Sequence, residues 1–427
     1  MMRPNGRAFK DERVTIMAFG LTKKELSWVL YDVGNSAFVM LSTALIPVYF
    51  ASIADPGSSV VVAWGYAETL ASLVLALLMP VLGSLADLAG NKKKFLVGFA
   101  GTGAVACAAL GIPEHALVFL VVYVIAAIML NGSMVFYDAF LVDATTEERY
   151  DKVSSHGYAW GYIGSCIPFI ACLAVVLGGS SFGIDAKLGM KIAFIITAVW
   201  WVIFTVPVAK DVKQLHGKKR SDHVLRTTIS GLKGTVKSIM KDKRLLFFML
   251  AFFFYIDGVH TVISMATSYG SALGIDSTQL VLALLVTQFV AFPSAIIYGK
   301  LAGRVGTLNM IMVAVAAYMG IVLFAAFFLK TAFEFWVLAI LVGLFQGGVQ
   351  ALSRSYFGRI IPKEKSNEYY GFFDIFGRYA SVMGTFLVSV VTSLTGNPSL
   401  GVLSIGALLV VGFVLLVRLS RMAQAAA

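Results

Sequence analysis

The sequence predicts an all-α membrane protein with twelve transmembrane helices in two pseudo-symmetric six-helix bundles. Three observations predict it. Hydrophobic residues fill 59% of the 427 positions and charged residues only 13%, whereas soluble chains carry about 25% charged residues. Twelve apolar runs approach or exceed the roughly 20 residues that a helix needs to cross a bilayer: 27–53, 60–85, 95–112, 116–138, 155–177, 188–208, 245–270, 277–298, 308–329, 332–353, 367–394 and 399–418. Six runs lie on each side of one long polar linker, so the chain divides into an amino-terminal bundle (1–208), the linker (209–244) and a carboxy-terminal bundle (245–427).

The charge pattern orients the spans. With the amino terminus in the cytoplasm, the inner loops, linker and tails hold thirty of the 34 Lys and Arg residues; Lys187, Lys191 and Lys330 fall outside and Arg378 lies within a helix. Cytoplasmic loops of membrane proteins are enriched in these residues. The net charge of +11 is therefore an orientation signal, and no nucleic-acid partner is needed to explain it. In this reading Arg149, Lys152, Lys92 to Lys94 and Arg354 to Lys365 are loop charges. The polar, basic start is too long for a cleaved signal peptide, so the first run is expected to anchor the chain with both termini cytoplasmic. Cys107, Cys166 and Cys172 are odd in number and lack metal-site spacing, so neither disulfides nor a metal nor another cofactor is expected.

Within the linker, Leu225, Ile229, Leu232, Val236 and Ile239 recur every three or four residues, with Arg226, Lys233 and Lys237 on the other face. That is the pattern of a basic amphipathic helix lying on the inner membrane surface.

The halves repeat. At an offset near 215, Asn131-Gly132 meets Gln346-Gly347, Gly157-Tyr158 meets Gly371-Phe372, and Gly83 meets Gly299. At an offset of 225, Asp32, Asn35, Ser36, Val39, Ser42 and Thr43 in the first run meet Asp257, His260, Thr261, Ser264, Thr267 and Ser268 in the seventh. Their spacing places them on one stripe of each helix. A charge facing lipid at mid-membrane costs about 2.5–3.5 kcal/mol even on lenient scales, so the stripes must face the bundle interior or water. Two parallel six-helix repeats with facing polar stripes describe a carrier whose site lies between the halves.

Gly83 to Lys94, GSLADLAGNKKK, forms the loop after the second run. Gly83 permits close helix approach, Gly90 suits a positive φ, and Asp87 is placed to pair with a neighbouring helix end or an Arg. This G-x-x-x-D-x-x-G-x-K-K-K pattern resembles the loop between helices two and three of the major facilitator superfamily. The second half has YGKLAGRVG there, with Gly303 in place of the acid. Three further stretches, YDVGNSAF (31–38), FYIDGVHT (254–261) and QALSRSYFGRIIPKEKSNEYYGFFDIFGR (350–378), are similar to the vacuole-effluxer-like family, named after an autophagy-related fungal exporter of vacuolar amino acids. The resemblance spans both halves. It implies the major facilitator fold and transport, and the short loops suit a bacterial plasma-membrane member. Two departures stand out. The fourth helix has Asn131 where sugar and drug porters often carry an Arg, so proton coupling does not carry over by analogy. The fifth has Gly157, Gly161, Gly164 and Pro168, which suits helix packing rather than the antiporter signature.

The candidate residues for binding or coupling follow from depth and type. Asp257 lies near the midplane of its run; an ionisable residue there is a functional candidate, able to carry a proton, with His260 one turn away. Asp32 lies closer to the inner rim as a gate candidate, with Asn35 beside it. Glu68 fits either a coupling carboxylate or an outer gate. Asp374 and Arg378, four apart, share a helix face with Ser381, Thr385 and Ser389. They fit either a neutralising ion pair or an anion-recognising site, since a guanidinium grips a carboxylate with two hydrogen bonds. Helices one, four, seven and ten line the cavity in the resembled fold, which adds Asn131, Gln346 and Gln350.

The expected function is secondary transport of a small polar organic solute such as an amino acid, with protons as a candidate coupling ion and the chain working as a monomer. A proton-driven exporter of drugs or metabolites is the alternative, served by the aromatic run Phe252 to Tyr255. A membrane scaffold is disfavoured by the short loops, and an enzyme by the want of a nucleophile with a base. GTGAVA at 101–106 lies inside an apolar run with no strand before it, so it is no dinucleotide fingerprint.

Overall fold

A computed structural model of the chain describes residues 18–54, 59–219, 224–272 and 274–425. Fifteen α-helices follow one another: α1 (Lys23–Ala44), α2 (Ile46–Ile53), α3 (Val60–Ala86), α4 (Lys92–Ala109), α5 (Ala116–Ala139), the short α6 (Leu141–Ala144), α7 (Tyr150–Gly178), α8 (Ala186–Asp211), α9 (Val224–Lys241), α10 (Lys243–Ala272), α11 (Ser277–Val305), α12 (Thr307–Phe327), α13 (Ala332–Ile360), α14 (Ser366–Thr395) and α15 (Pro398–Ala425). Among the described residues there is no strand, only an isolated bridge between Leu88 and Lys218.

Local chemistry sets the ends. Thr22 and Glu25 form a capping box on α1, and Thr331 and Glu334 form another on α13, each satisfying amide groups that the first turn leaves open. Gly306 and Gly396, with φ of +95° and +66°, close α11 and α14. The first expected run is broken: α1 and α2 meet at Leu45 with a 45° bend. Pro47, in the first turn of α2, cannot donate to the preceding turn and would clash with it.

Among the described residues ten helices are long and apolar enough to cross a membrane, or eleven with the bent pair α1–α2 counted as one span. The expected run left out of that count, 95–112, corresponds to α4, which has 18 residues and opens with three lysines. Apolar length alone thus falls one short of the expected twelve, although each run has its helix or bent pair.

The duplication is visible in the packing. In the first half α1 packs on α7 and α8, α5 on α3 and α4, and α8 on α4. In the second, α10 packs on α14 and α15, α13 on α11 and α12, and α15 on α12. The contacts between halves are paired too: α7 meets α11 and α13, as α14 meets α3 and α5.

Of the linker helix, the side chains of 224–230 lie outside the described residues, and with them Leu225, Arg226 and Ile229. Beyond them Thr235 and Ile239 are buried while Val236 is 41% exposed, so the covered stripe is narrower than the spacing predicts. The side chains of Thr267, Ser268 and Ser381 also lie outside. The aromatic run of α10 is largely packing. Phe252 stacks on Phe373 of α14 with ring centroids 3.9 Å apart, and Tyr255 is wholly buried, its hydroxyl 2.6 Å from that of Ser353.

Candidate functional site: an arginine held between the halves

Arg354 is the centre of a buried polar cluster that joins the two halves. It stands on α13, which runs seven residues past the expected end of that span, and it is 1% exposed. The acids that pair with its guanidinium and the rings stacked against it come from the first half. Nη1 donates to Asp138 Oδ1 at 2.8 Å and lies 3.5 Å from Asp32 Oδ2. Nε donates to Ser154 Oγ and Nη2 to the Ser154 carbonyl, both at 2.9 Å. The rings of Tyr158, Trp28 and Tyr137 stand 4.4, 4.8 and 5.3 Å from its central carbon, within cation–π range. Asp32 also accepts from the Tyr137 hydroxyl at 2.8 Å, and Trp28 donates to the Tyr137 carbonyl at 3.0 Å. A Cβ on Gly157 of α7 would lie 2.8 Å from Asp32 Oδ2 and 2.9 Å from Arg354 Nη2, so the bare glycine leaves room for both charged groups in their present positions.

Three further interlocks tie the halves together at the same, basic end. Arg359 of α13 grips Asp151 of α7 through two bonds, 2.8 and 3.0 Å, and Asp151 also accepts from Ser355 and Thr307. Lys92, wholly buried, donates to Asp143 at 2.6 Å and to Ser366 of the second half at 2.8 Å. Asp87 accepts from the Asn367 amide at 2.9 Å, its side chain at 2.8 Å and the Glu368 amide at 3.1 Å, filling the open N–H groups at the start of α14. Burial pushes the Asp87 carboxyl up to about 6, although Lys92, Lys218 and the Asn367 bonds oppose the shift. Burial acts on Asp143 in the same sense, but the Lys92 ammonium and the His216 hydrogen bonds prevail and leave it below the usual carboxylate range.

Four basic residues that the sequence reads only as orienting loop charges have a further role: Arg354, Arg359, Lys92 and Arg149 each hold a buried carboxylate; Arg149 pairs with Glu25 at 2.6 Å. Asp138, Asp143 and Asp151 were not singled out by the sequence reasoning at all. Asp138 and Asp151 sit at the ends of apolar runs, where an acid reads as the start of a loop. The available signal was the pairing of such acids with basic residues at equally marginal positions in the other half.

The predicted residues divide into groups. Asp32 and Asn35 are buried in the Arg354 cluster, and the Asn35 amide donates to the Tyr31 carbonyl. Gly83 meets the Asn367 backbone closely, and Gly90 turns the loop with φ +82°. Asp257 is fully buried between α10 and α14. Its Oδ1 accepts from the Gly384 amide at 2.9 Å and the Thr261 hydroxyl at 3.2 Å, while Oδ2 has no hydrogen-bond partner among the described residues. His260 is half-buried, bonded to the Gly377 backbone and close to Arg378. Arg378 donates to Asp374 at 2.6 Å, and both are about one-fifth exposed. Asp374 is near enough to Asp138 for their charges to interact, which brings this pair towards the Arg354 cluster. Glu68 lies apart from all of these, accepting from the Tyr123 hydroxyl. Asn131 bonds to its own helix at the Ala127 carbonyl. Gln346 is buried, its amide nitrogen without a hydrogen-bond partner among the described residues, and Gln350 is half-buried. Among the described residues no group of His, Cys, Asp and Glu could hold a metal ion.

Comparison with known proteins agrees with this architecture. The sequence pattern described as "Vacuole effluxer Atg22 like" matches residues 58–426. An uncharacterized MFS-type transporter of Bacillus subtilis, YxiO, is 46% identical over 404 residues, covering 92% of this chain and 94% of its own. Autophagy-related protein 22 of Kluyveromyces lactis is 22% identical over 340 residues, covering 72% and 68%. Among solved structures, the major facilitator transporter FucP in its outward conformation superposes with a TM-score of 0.69 at 13% identity, over 93% of this chain and 98% of its own. A bacterial homologue of the iron transporter ferroportin in an outward-facing state gives 0.67 at 14%, with the same coverage. At such identities the likeness is one of fold.

Proposed function

Since the chain belongs to the vacuole effluxer Atg22-like family of major facilitator transporters, we propose that it moves a small polar organic solute, an amino acid or a similar zwitterion, by alternating access. The observation that carries this reading is the one-sided interlock. Four charged clusters clamp the halves together at the basic end, and on α1 the polar stripe passes from buried Asp32 to exposed Val39 and Thr43. A carrier closed at one end needs such bonds to be strong enough to hold yet exchangeable for water when the halves rock.

In this reading the bundles comprise 1–208 and 245–427, joined by the linker 209–244. The basic end and both termini face the cytoplasm of a bacterial cell, and the chain works as a monomer. Arg378 receives the solute carboxylate beside Asp374 and His260; Gln346 and Gln350 of the second half and Asn35 and Asn131 of the first supply further contacts to the solute. The orphaned Oδ2 of Asp257 supports a coupled proton there, because a buried carboxylate oxygen without a partner is costly unless it is neutralised. Glu68, bonded to Tyr123 on the opposite side, serves as an outer gate. Gly83, Asp87 and Gly90 form the inner gate loop. The packed state of Phe252 and Tyr255 weighs against the exporter of lipophilic drugs, which would need an open aromatic cavity.

The test is counterflow of a labelled amino-acid panel in proteoliposomes, after a thermal-shift screen for solutes that bind the native state. Saturable exchange of at least one amino acid supports the reading. Exchange confined to lipophilic cations, or no exchange by active protein, overturns it.

A further inference from the structure

The surroundings of Arg354 have the composition of a binding site rather than of a simple latch. Asp32 and Asp138 supply two carboxylates, Ser154 a hydroxyl and a carbonyl, and Trp28, Tyr137 and Tyr158 three ring faces. All belong to the first half, whereas the cation that fills them is borne by the second. We propose that this cage is a cation subsite of the first half, occupied by the Arg354 guanidinium in the closed arrangement and by the guanidinium or primary ammonium group of an organic solute when the halves part at the basic end.

Three features carry the inference. First, the Asp32 side of the cage is held without Arg354. The Tyr137 hydroxyl holds Asp32, Trp28 Nε1 holds the Tyr137 carbonyl, and Trp28 stacks on Tyr137 with centroids 4.4 Å apart. That wall therefore keeps its shape when the arginine withdraws. Second, two acids, Asp138 and Asp32, face one guanidinium. An emptied cage would hold close like charges, which strongly favours a replacement cation. Third, Asp138 is 20% exposed while Arg354 is 1% exposed, so the cage has an edge from which a solute can enter. Arg354 then acts as a tethered competitor: solute binding and closure at this end exclude one another, which links occupancy to the position of the halves. This rests on the alternating-access reading above, whereas the following measurement reads binding without flux, so the two can fail separately.

The experiment uses the full chain in lipid nanodiscs, thermal unfolding as the readout, and methylguanidinium as the probe, with urea as a neutral analogue of similar shape. In Arg354→Ala, millimolar methylguanidinium is expected to raise Tm saturably, urea to leave it unchanged, and the added change Asp138→Asn to abolish the shift. In the unaltered protein half-saturation should need about tenfold more probe or beyond, because only the fraction with a vacated cage binds. No saturable rise in a folded Arg354→Ala protein, an equal effect of urea, or a shift that survives Asp138→Asn overturns the proposal. Should Arg354→Ala not fold, the unaltered protein decides: a saturable shift lost in Asp138→Asn supports the cage, and its absence overturns it.

Discussion

Asp32 and Asp257 occupy matching places in the two halves, yet only one of them meets a charge from across the interface. Each packs against a glycine on the fifth helix of its own half, Asp32 on Gly157 and Asp257 on Gly384. Asp32 then reaches Arg354 of the opposite half, 3.5 Å away. Among the described residues, Asp257 meets the Gly384 amide and the Thr261 hydroxyl instead. The duplication thus supplies two carboxyl positions of like geometry and unlike electrostatics, which suits division of labour between latch and proton site.

That division predicts the effect of Asp257→Asn. The amide keeps an acceptor for the Gly384 N–H and removes the proton-binding group. Solute flux in proteoliposomes is expected to lose its response to an imposed pH gradient while exchange without a gradient persists. A variant that responds to the gradient as the unaltered protein does would place coupling elsewhere.

Arg354→Ala should be strongly destabilising. Removing one partner of a buried ion pair leaves the other charge uncompensated, at a typical cost of about 3–5 kcal/mol, and here two carboxylates lose the same partner. Thermal unfolding checks this. Adding Asp138→Asn should recover part of the loss, since it removes one of the stranded charges; a purely additive second loss would argue that packing, not charge, sets the effect.

The limits of reading the sequence are physical. The run lengths, the duplication and the positive φ of Gly90 were legible because hydropathy, repeats and glycine report on backbone and solvent directly. Arg354 and Asp138 were not, because an ionised residue at the end of an apolar run looks the same whether it enters water or an ion pair. Only the fold decides, by bringing the end of α13 against α5 and α7. Lys92 was hidden for the same reason among three consecutive lysines, of which it alone is wholly buried. Asp87 was the exception, since its loop has a spacing that identifies it without the partner helix.

Asp87 gives a pH prediction of definite sign. Its carboxyl titrates at about 6 in the folded chain, above the ordinary 3.8, mainly because burial disfavours the charged form. A raised carboxyl pKa stabilises the fold while the group is protonated, and that contribution fades as pH climbs from about 4 through about 6. The shift corresponds to about 3 kcal/mol at most. Relative to Asp87→Asn, whose side chain does not titrate, the unaltered protein should lose thermal stability across that window and run parallel above it. Equal slopes for both proteins, or the opposite slope, would contradict this placement of the charge.

Arg378→Lys separates recognition from packing. Asp374 and Arg378 are each about one-fifth exposed, in contrast to the sealed Arg354, so their guanidinium is within reach of a solute. Lysine keeps the charge beside Asp374 but loses the two-pronged grip on a carboxylate. The expected outcome is a KM raised roughly tenfold for amino acids, equivalent to about 1.4 kcal/mol of lost binding, with little change for the corresponding amines and in Tm. A large fall in Tm with KM unchanged would instead assign the pair to holding α14 in place.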